Sequence, residues 1–450
     1  MPLAGFPIDK RSALLLDKEN MTKYSISPMS SLYELYLRHP RISTDSTDTR
    51  NIGADSILFA LRGATFDGNR FAADALEKGA AYAVVDDPSL PNTRPDKADR
   101  LIVVDDALQT LQALAREHRR ELGLPILAIT GSNGKTTTKE LVSRVLAEKY
   151  EVYATRGNLN NHIGVPLTLL AMTRDVEFGI VEMGASACGE IALLCSIAEP
   201  NYGIVTNIGR AHLEGFGGPE GVRRGKGELY DWLARTGGRV FVPANDPVLM
   251  SMAAERETLA AECYPTTLAD GVEHHLEGDY NRFNVAAAVA VGRYFGVDDE
   301  RIRYAVGSYR PDNHRSQKIR TGQNTLILDC YNANPSSMQA SLVNFRQEPL
   351  EGCTRKILIL GDMLELGDWS DAEHRHIISL AAEIPDARIL LVGPHFAKAY
   401  RSLESRPADT TLYPSQEVLA AELRKHPVSQ ALILVKGSHS IGLERLADLL

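Results

Sequence analysis

A glycine-rich segment with a lysine and neighbouring threonines carries the clearest chemical signal in this 450-residue chain. A short apolar run at 126–129 leads into Thr-Gly-Ser-Asn-Gly-Lys-Thr-Thr at 130–137, and a helix-forming segment follows from Lys135 towards Ala147. Glycines let successive backbone N–H groups turn inward around an anion, and the N-terminus of the helix adds partial positive charge. The order of strand, glycine loop and helix therefore predicts a site for nucleotide phosphates.

Individual residues of this loop have separate predicted roles. Lys135 can reach the β- and γ-phosphates, and the hydroxyl of Thr136 can bind magnesium. The spacing departs from the usual phosphate-loop pattern, because Ile129 stands where the first glycine is expected, so an ordinary glycine turn before a helix is the alternative. The expected phosphate contacts are Gly131, Ser132, Asn133, Gly134, Lys135, Thr136 and Thr137.

Three further candidates follow predicted strands of the same region, where parallel sheets place their sites. Glu182 ends one strand, and its carboxylate either binds a hard cation or serves as a cap or ion-pair partner. His212 lies in a glycine-punctuated loop after the next strand, although a lone histidine is more often structural. The amide-rich segment 158–166, which includes Asn160 and Asn161, either holds polar substrate atoms or forms ordinary turns.

Other polar residues give weaker signals. Lys226 falls in a helix expected at 221–234, and taken alone it is predicted to be a solvated lysine on an exposed face. Asn281 and Asn284 lie one turn apart in an alanine-rich helix and could present amides to a base. The segment 47–50 sets an arginine beside short hydroxyls, which suits either a phosphate contact or a solvated turn.

Composition limits the class of protein. Hydrophobic residues make up 44% and charged residues 24%, the balance of a soluble globular protein. The net charge of −9, with no offsetting basic block, argues against a nucleic-acid partner. The five cysteines are scattered without a C-x-x-C pair, which indicates reduced thiols rather than disulfides or a zinc site. With no long apolar run or signal-like segment, we expect a cytoplasmic protein without a membrane partner.

The length suggests about three domains. Short apolar runs without polar alternation predict strands covered on both faces, as in a parallel sheet flanked by helices. No G-x-G-x-x-G fingerprint occurs, which argues against a dinucleotide cofactor. The predicted strands are 57–61, 81–85, 101–104, 126–129, 152–154, 179–183, 202–206, 239–242, 325–329, 356–360, 388–392 and 431–435. The predicted units are an extension at 1–20 and domains at 21–122, 123–314 and 315–450, with a Pro-containing linker at 310–315.

Taken together, these segments resemble the Mur ligases, from about Ser30 to the C-terminus. The glycine loop and the segments 160–166, 181–184 and 207–212 resemble signatures shared across that family. The segments Tyr-Asn-Ala-Asn-Pro at 331–335 and Gly-Asp-Met-Leu-Glu-Leu-Gly at 361–367 resemble more narrowly the members that add D-Ala-D-Ala. The Asp-Asn-Pro-Arg segment expected of the diamino-acid-adding relatives is absent from the sequence.

The resemblance implies an α/β fold with three domains. A central P-loop ATPase-type doubly wound sheet would be flanked by an N-terminal UDP-binding α/β domain and a C-terminal Rossmann-like domain. The implied reaction is ATP-dependent addition of D-Ala-D-Ala to UDP-MurNAc-tripeptide through an acyl phosphate, giving UDP-MurNAc-pentapeptide, ADP and phosphate, with two Mg²⁺ ions and a monomeric enzyme. The alternatives are a diamino-acid-adding ligase, a folylpolyglutamate synthetase-like ligase and a nucleotide-dependent module without catalysis. Residues 30–122 argue against the folylpolyglutamate synthetase-like ligase.

The resemblance also implies roles for single residues. Lys226 aligns with the lysine that the family carbamylates, which would turn a cation into a metal-binding anion. The implied catalytic residues are Lys135, Glu182, His212 and Lys226, and the implied magnesium ligands are Thr136, Glu182, His212 and carbamylated Lys226. The further implied ATP contacts are Asn281, Asn284, Arg315 and Asp329. The implied substrate contacts are Thr49, Arg50, Asp67, Asn160, Asn161, Tyr331, Asn332 and Asn334.

Overall fold

The computed structural model describes residues 28–44, 53–276, 278, 280–310 and 317–450. Over these ranges the chain forms three sheets, each packed against helices, which confirms the predicted α/β class. The residues of the predicted extension at 1–20, together with Thr49, Arg50 and Arg315, lie outside the described ranges. Within the described ranges, no helix is both long and apolar enough to cross a membrane.

The first lobe is a four-stranded parallel sheet in the order β1-β2-β3-β4. Its last helix, α4, begins after Asp106, whose carboxylate accepts from the backbone N–H of Gln109 (2.9 Å), and ends at Gly123 in the left-handed region. This helix packs against the neighbouring lobe and joins the two. The elements are α1 (Pro28–Arg38), β1 (Arg41–Ser43), β2 (Ser56–Phe59), α2 (Ala72–Glu77), β3 (Tyr82–Val85), α3 (Leu90–Thr93), β4 (Leu101–Val103) and α4 (Ala107–Leu122).

The central lobe is a six-stranded, all-parallel sheet in the order β10-β9-β8-β5-β7-β6. Strand β5 lies between β7 and β8, so the loops that follow these three strands meet at one edge of the sheet. The elements are β5 (Ile126–Thr130), α5 (Lys135–Ala147), β6 (Val152–Ala154), α6 (Gly164–Leu170), β7 (Phe178–Glu182), α7 (Glu190–Ala198), β8 (Tyr202–Val205), α8 (Leu213–Phe216), α9 (Pro219–Thr236), β9 (Arg239–Pro243), α10 (Pro247–Ala254), β10 (Ala260–Tyr264), α11 (Asn281–Tyr294) and α12 (Asp299–Ser308).

The C-terminal lobe is a six-stranded sheet in the order β11-β12-β16-β13-β14-β15, in which only the edge strand β11 runs antiparallel. Its carboxyl edge faces the central lobe: Asn334, after β12, contacts Asn133 of the glycine loop, and Glu365, after β13, contacts His212. The elements are β11 (Gln317–Arg320), β12 (Thr325–Asp329), α13 (Pro335–Gln347), β13 (Arg355–Gly361), α14 (Ser370–Ala382), β14 (Ala387–Val392), α15 (Pro394–Arg401), β15 (Thr410–Tyr413), α16 (Gln416–Lys425) and β16 (Ala431–Lys436).

The sequence prediction missed the edge strands β1, β10, β11 and β15 and, in the first two lobes, the helices α3, α6, α8, α10 and α12. The four strands lie at sheet edges, and the exposure of β10 alternates along its length instead of forming a continuous apolar run. The predicted loop at 158–166 is wrong at its end, because α6 already begins at Gly164. Pro166 is tolerated there since the first helical turn needs no N–H from that residue.

Candidate active site

A cavity of about 880 Å³ lies between the central and C-terminal lobes. The glycine loop and the loops after β7 and β8 form one wall, and the loop after β12 forms the opposite wall. The predicted site residues among its lining are Ser132, Asn133, Gly134, Lys135, Thr137, Asn160, Asn161, Glu182, His212, Asn281, Asn284, Asp329, Tyr331 and Asn332. Residues predicted from separate segments of sequence are thus brought to one cavity.

The glycine loop needs its glycines for space as well as for backbone conformation. Gly131 has φ 139°, and a Cβ there would lie 2.0 Å from Oγ1 of Thr206. Gly134 has φ 79°, and a Cβ there would lie 2.6 Å from Oδ1 of Asn284. The ammonium of Lys135 donates to the carbonyl oxygen of Gly131 (2.7 Å), within the same loop. The loop is therefore built for close backbone approach, as a phosphate cradle requires.

The loop after β8 braces the glycine loop through Asn133. Oγ1 of Thr206 and Nδ2 of Asn207 both donate to the carbonyl oxygen of Asn133, at 2.5 and 2.9 Å. In return, the N–H of Asn133 donates to Oδ1 of Asn207 (3.1 Å). Sequence reasoning did not single out these two residues, although Asn207 opens one of the quoted signatures.

Glu182 ends β7 and is only 2% exposed. Its Oε1 accepts from Nδ2 of Asn160 (2.8 Å), whereas its Oε2 is buried without a hydrogen-bond partner among the described residues. A buried carboxylate oxygen without a donor is costly, and a cation would relieve that cost. Asn160 thus orients Glu182 in addition to lining the cavity.

His212 immediately precedes the short helix α8 and has a left-handed backbone, with φ 53°. Its Nδ1 is hydrogen-bonded to the carboxylate of Glu365, which comes from the C-terminal lobe. The other ring nitrogen, Nε2, therefore remains for a ligand in the cavity that His212 lines. Glu365 was part of a quoted segment but was not predicted to be a site residue.

The prediction of a solvated Lys226, made from the sequence alone, is wrong. Lys226 is 1% exposed, because it lies on the face of α9 that also buries Val222, Leu229 and Leu233. Its ammonium donates to the carbonyl oxygen of Ala185 (3.1 Å). Burial, with a smaller contribution from the positive charge of Lys135, lowers the pKa of Lys226 to about 7. The apolar spacing on either side of Lys226 was the available sequence signal.

The expected magnesium ligands do not form a complete set by themselves. Glu182 and His212 line the cavity, whereas Thr136 and Lys226 are buried and are not among its lining residues. Across the described ranges, no three His, Cys, Asp or Glu side chains are grouped so that they could hold a metal. The Oε2 of Glu182, which has no hydrogen-bond partner in the described part of the chain, nevertheless fits a hard cation, whose remaining ligands would come from substrate, water or a modified Lys226.

Asn281 and Asn284 lie where α11 packs against α5 beside the cavity. Nδ2 of Asn284 donates to Oδ1 of Asn281 (2.8 Å), and Oδ1 of Asn284 accepts from Oγ1 of Thr138 on α5 (3.0 Å). Both asparagines are buried on α11 and line the cavity. The amides therefore tie α11 to the helix that follows the glycine loop, and only part of their hydrogen-bonding capacity remains for a ligand.

The C-terminal wall is organised around Asp329 at the end of β12. Its Oδ2 accepts from Nζ of Lys436 (2.5 Å) and from Oγ of Ser341 (2.9 Å). Lys436 was missed by sequence reasoning, although a lysine that ends the apolar strand β16 was visible. Tyr331 and Asn332 follow Asp329 into the cavity lining, while Oδ1 of Asn334 caps α13 by accepting from the N–H of Ser337 (2.9 Å).

Two predicted substrate contacts have structural partners. Asp67, in the first lobe, caps a short 3₁₀ turn, and its Oδ1 accepts from the N–H (3.0 Å) and Nδ2 (2.8 Å) of Asn69. It does not line the cavity between the other lobes. Asn161 lines that cavity, and its Oδ1 accepts from the N–H of Gly164 (2.8 Å) at the start of α6.

Comparison with known proteins defines the class to which this fold and cavity belong. The Mur ligase middle domain matches residues 129–267, the "Mur ligase, glutamate ligase domain" matches residues 314–439, and the "Mur ligase family, catalytic domain" matches residues 41–119. The chain therefore belongs to the Mur ligase family, and it is an ATP-dependent ligase that forms amide bonds.

Individual relatives match over almost the whole chain. The UDP-N-acetylmuramoyl-tripeptide–D-alanyl-D-alanine ligase of Bacillus subtilis is 33% identical, over 95% of this chain and 98% of its own length. The ligase of the same name from Escherichia coli is 30% identical with the same coverage. A crystal structure of MurF from Acinetobacter baumannii has a TM-score of 0.78 at 30% identity and covers 91% of this chain and 93% of its own.

Proposed function

We propose that this Mur ligase adds D-Ala-D-Ala to UDP-MurNAc-tripeptide and releases UDP-MurNAc-pentapeptide, ADP and phosphate. The names of the relatives from Bacillus subtilis and Escherichia coli support this substrate pair. The observation that carries the proposal is the shared cavity, in which the glycine loop faces Tyr331 and Asn332 from the segment that resembles the D-Ala-D-Ala-adding members. Such a cavity can hold an activated carboxyl and an incoming amine side by side.

The reaction takes two steps. A carboxylate oxygen of the tripeptide attacks the γ-phosphorus of ATP, the bond to the bridging oxygen breaks, and ADP leaves. The amine of D-Ala-D-Ala then attacks the acyl carbon, loses a proton, and inorganic phosphate leaves. In the first step the backbone N–H groups of residues 134–136, at the start of α5, and the ammonium of Lys135 would offset charge on the phosphoryl oxygens. The ammonium of Lys135 would exchange its loop carbonyl for these oxygens.

Magnesium fits the donor chemistry of the cavity. When bound, Mg²⁺ would neutralise charge on the transferred phosphoryl group and orient it. Glu182, through Oε2, and His212, through Nε2, would hold one ion, and Thr136 would hold the ion carried by the nucleotide. Asn160 keeps the Glu182 carboxylate in place by donating to its other oxygen (2.8 Å).

Carbamylation of Lys226 is the third part of the proposal. An ordinary lysine is almost fully protonated at neutral pH and reacts poorly with CO₂, whereas a pKa of about 7 leaves a substantial fraction as free amine. The amine nitrogen adds to the carbon of CO₂ and loses a proton, which gives an anionic carbamate. That anion would supply an oxygen ligand to magnesium from a buried position.

We propose that the remaining predicted residues act through the three lobes. Residues 21–122 would hold the UDP-sugar through Thr49, Arg50 and Asp67, and residues 123–314 would hold ATP with Asn281 and Asn284 on the nucleotide side. Residues 315–450 would bring the dipeptide, with Arg315 and Asp329 towards ATP and Tyr331, Asn332 and Asn334 towards substrate. Asn161 would act at the same cavity by keeping the start of α6 in place.

Phosphate release tests the proposal. One mixture contains the enzyme, ATP, Mg²⁺, UDP-MurNAc-tripeptide and D-Ala-D-Ala. In a second mixture, the UDP-MurNAc precursor that carries only a dipeptide replaces the tripeptide substrate, and a diamino acid replaces D-Ala-D-Ala. We expect release only in the first mixture, with mass spectrometry detecting the pentapeptide product. Release only in the second would assign the diamino-acid-adding reaction, and a folate substrate with glutamate provides the third comparison. The absence of phosphate release in all three mixtures would reject both the proposed amine and the proposed acyl donor.

A further inference from the structure

One hydrogen bond joins a candidate magnesium ligand to a different lobe of the protein. Nδ1 of His212, in the central lobe, pairs with the carboxylate of Glu365, which lies 153 positions later in the loop after β13. The contact is reinforced by the backbone, since the N–H of Glu214 donates to the carbonyl oxygen of Glu365 (3.2 Å). The side chain of Glu365 thus contacts His212, and its backbone carbonyl contacts Glu214, two residues later in the same segment.

Both partners have a backbone conformation that residues with side chains seldom adopt. His212 has φ 53° and Glu365 has φ 60°. Such conformations cost on the order of 1 kcal/mol each and persist where the surroundings enforce them. Residues in such conformations are enriched at functional sites, and these two face each other across a lobe boundary, where His212 lines the cavity.

The loop that carries Glu365 is held firmly from inside the C-terminal lobe. The buried carboxylate of Asp362 accepts from the backbone N–H groups of His395 (2.9 Å) and Phe396 (2.8 Å) at the start of α15. Nε2 of the buried His374 accepts from the N–H of Met363 (3.1 Å). These contacts fix the loop next to Glu365, so Glu365 can impose an orientation on its partner.

We propose that Glu365 is a positioning residue that fixes the ring of His212 for metal binding once the C-terminal lobe is docked. This inference rests on the magnesium role proposed above for His212. The carboxylate accepts from Nδ1, which leaves the lone pair of Nε2 directed to the cavity and makes the imidazole a stronger ligand. Because His212 and Glu365 belong to different lobes, assembly of the metal site is coupled to docking of the lobes.

The test compares Glu365→Ala with Glu373→Gln, which is a matched control. Glu373 also contacts the central lobe, through an ion pair with Arg210 (2.9 Å), but it does not touch His212. The primary readout is Mn²⁺ binding with ADP present, followed by electron paramagnetic resonance, and the second is the Mg²⁺ concentration for half-maximal phosphate release. We expect Glu365→Ala to weaken Mn²⁺ binding roughly 10- to 100-fold, and Glu373→Gln to change it by less than about threefold.

A double-mutant cycle separates positioning from docking. If Glu365 acts through His212, Glu365→Ala has no further effect on Mn²⁺ binding in a His212→Ala background. Glu365→Gln retains an acceptor oxygen and should recover part of the affinity lost in Glu365→Ala. Equal losses in Glu365→Ala and Glu373→Gln, or an undiminished effect of Glu365→Ala without His212, would overturn the inference.

The metal readout does not depend on the identity of the amino-acid substrate. If D-Ala-D-Ala supports no phosphate release but Mn²⁺ binding still falls in Glu365→Ala, the substrate assignment fails and the positioning role stands. If His212→Ala leaves Mn²⁺ binding unchanged, the positioning role fails whatever the phosphate assay gives.

Discussion

Asn133 of the glycine loop and Asn334 at the start of α13 face each other across the boundary between the central and C-terminal lobes. Nδ2 of Asn334 donates to Oδ1 of Asn133 (2.8 Å), and the reciprocal pair, Nδ2 of Asn133 to Oδ1 of Asn334, lies at 3.4 Å. Asn334 also caps α13 through Ser337. The geometry of the phosphate cradle is therefore linked to the N-terminus of a helix in another lobe.

The first prediction separates these two roles of Asn334. Asn334→Ala removes both the cap and the contact with Asn133, whereas Ser337→Ala removes only the hydroxyl that accepts from the N–H of Asn334 (3.0 Å). We expect each variant to lose about 1 kcal/mol of unfolding free energy. Only Asn334→Ala should raise the KM for ATP severalfold. Steady-state kinetics measures the KM for ATP, and urea unfolding measures stability. An equal rise in the KM for ATP in Asn334→Ala and Ser337→Ala would contradict the link between the lobes.

The second prediction concerns space inside the glycine loop. In Gly134→Ala the new Cβ would lie 2.6 Å from Oδ1 of Asn284, at a residue with φ 79°. We expect ADP affinity to fall at least about tenfold, because either the loop or the buried Asn281–Asn284 pair must shift. Gly157→Ala is the control: Gly157 also has positive φ (56°), but no atom of the described residues lies within 4 Å of its added Cβ. Isothermal titration with ADP should show that Gly157→Ala binds as the unaltered protein does.

The third prediction uses the pH dependence of stability that a buried Lys226 imposes. Its pKa falls from an unfolded value near 10.5 to about 7 in the fold. Between these values only the unfolded chain holds the proton, so rising pH stabilises the fold by about 1.4 kcal/mol per unit. Lys226→Met lacks this gain, because methionine does not titrate. From pH 6 to pH 8.5, the unfolding free energy of the unaltered protein should therefore rise by about 2 kcal/mol relative to that of Lys226→Met.

Urea unfolding in CO₂-free buffer measures this difference, since carbamate formation would otherwise add its own pH dependence. Lys356→Met provides a control, because burial lowers the pKa of Lys356 as well, yet that residue does not line the cavity, and its ammonium donates to the backbone carbonyls of Phe345 and Arg346. We expect Lys226→Met alone to abolish ligase turnover. A stability difference between Lys226→Met and the unaltered protein that stays constant over this pH range would contradict the assigned pKa.

The fourth prediction is a trade of stability for activity at Glu182. Glu182→Gln replaces a buried carboxylate, one oxygen of which has no partner among the described residues, with a neutral amide of the same shape. We expect the unfolding free energy to stay equal or to rise, because a buried charge is removed. Phosphate release should fall at least about 100-fold, since a hard cation loses an anionic ligand. Retained turnover at ordinary Mg²⁺ concentrations would exclude Glu182 from the metal site.

The local features of the central lobe could be predicted from sequence. An apolar run, two glycines and a helix-forming segment, in that order, predict strand β5, the glycine loop and α5. Glu182 was placed correctly at the end of β7 for the same reason. The edge strands β1, β10, β11 and β15 were missed, because a half-exposed strand lacks the continuous apolar run on which the prediction depended.

Contacts between residues that are far apart along the chain could not be predicted from the sequence. Glu365 meets His212 only because two separate lobes dock, and Lys436 meets Asp329 only because β12 and β16 are neighbours in their sheet. No local pattern encodes either contact. Lys226 is a different case, since the apolar residues spaced around it on α9 already indicated a buried face, and the residue type alone was given too much weight.

The cavity between the central and C-terminal lobes has a consequence for inhibitors. Its two walls come from different lobes that also contact each other through Asn133–Asn334 and Arg210–Glu373. For a compound that contacts both walls, separation of the lobes breaks all of its contacts with one wall at once. We therefore expect its residence time to follow the rate of lobe opening, so that two compounds of unequal equilibrium affinity could dissociate at similar rates.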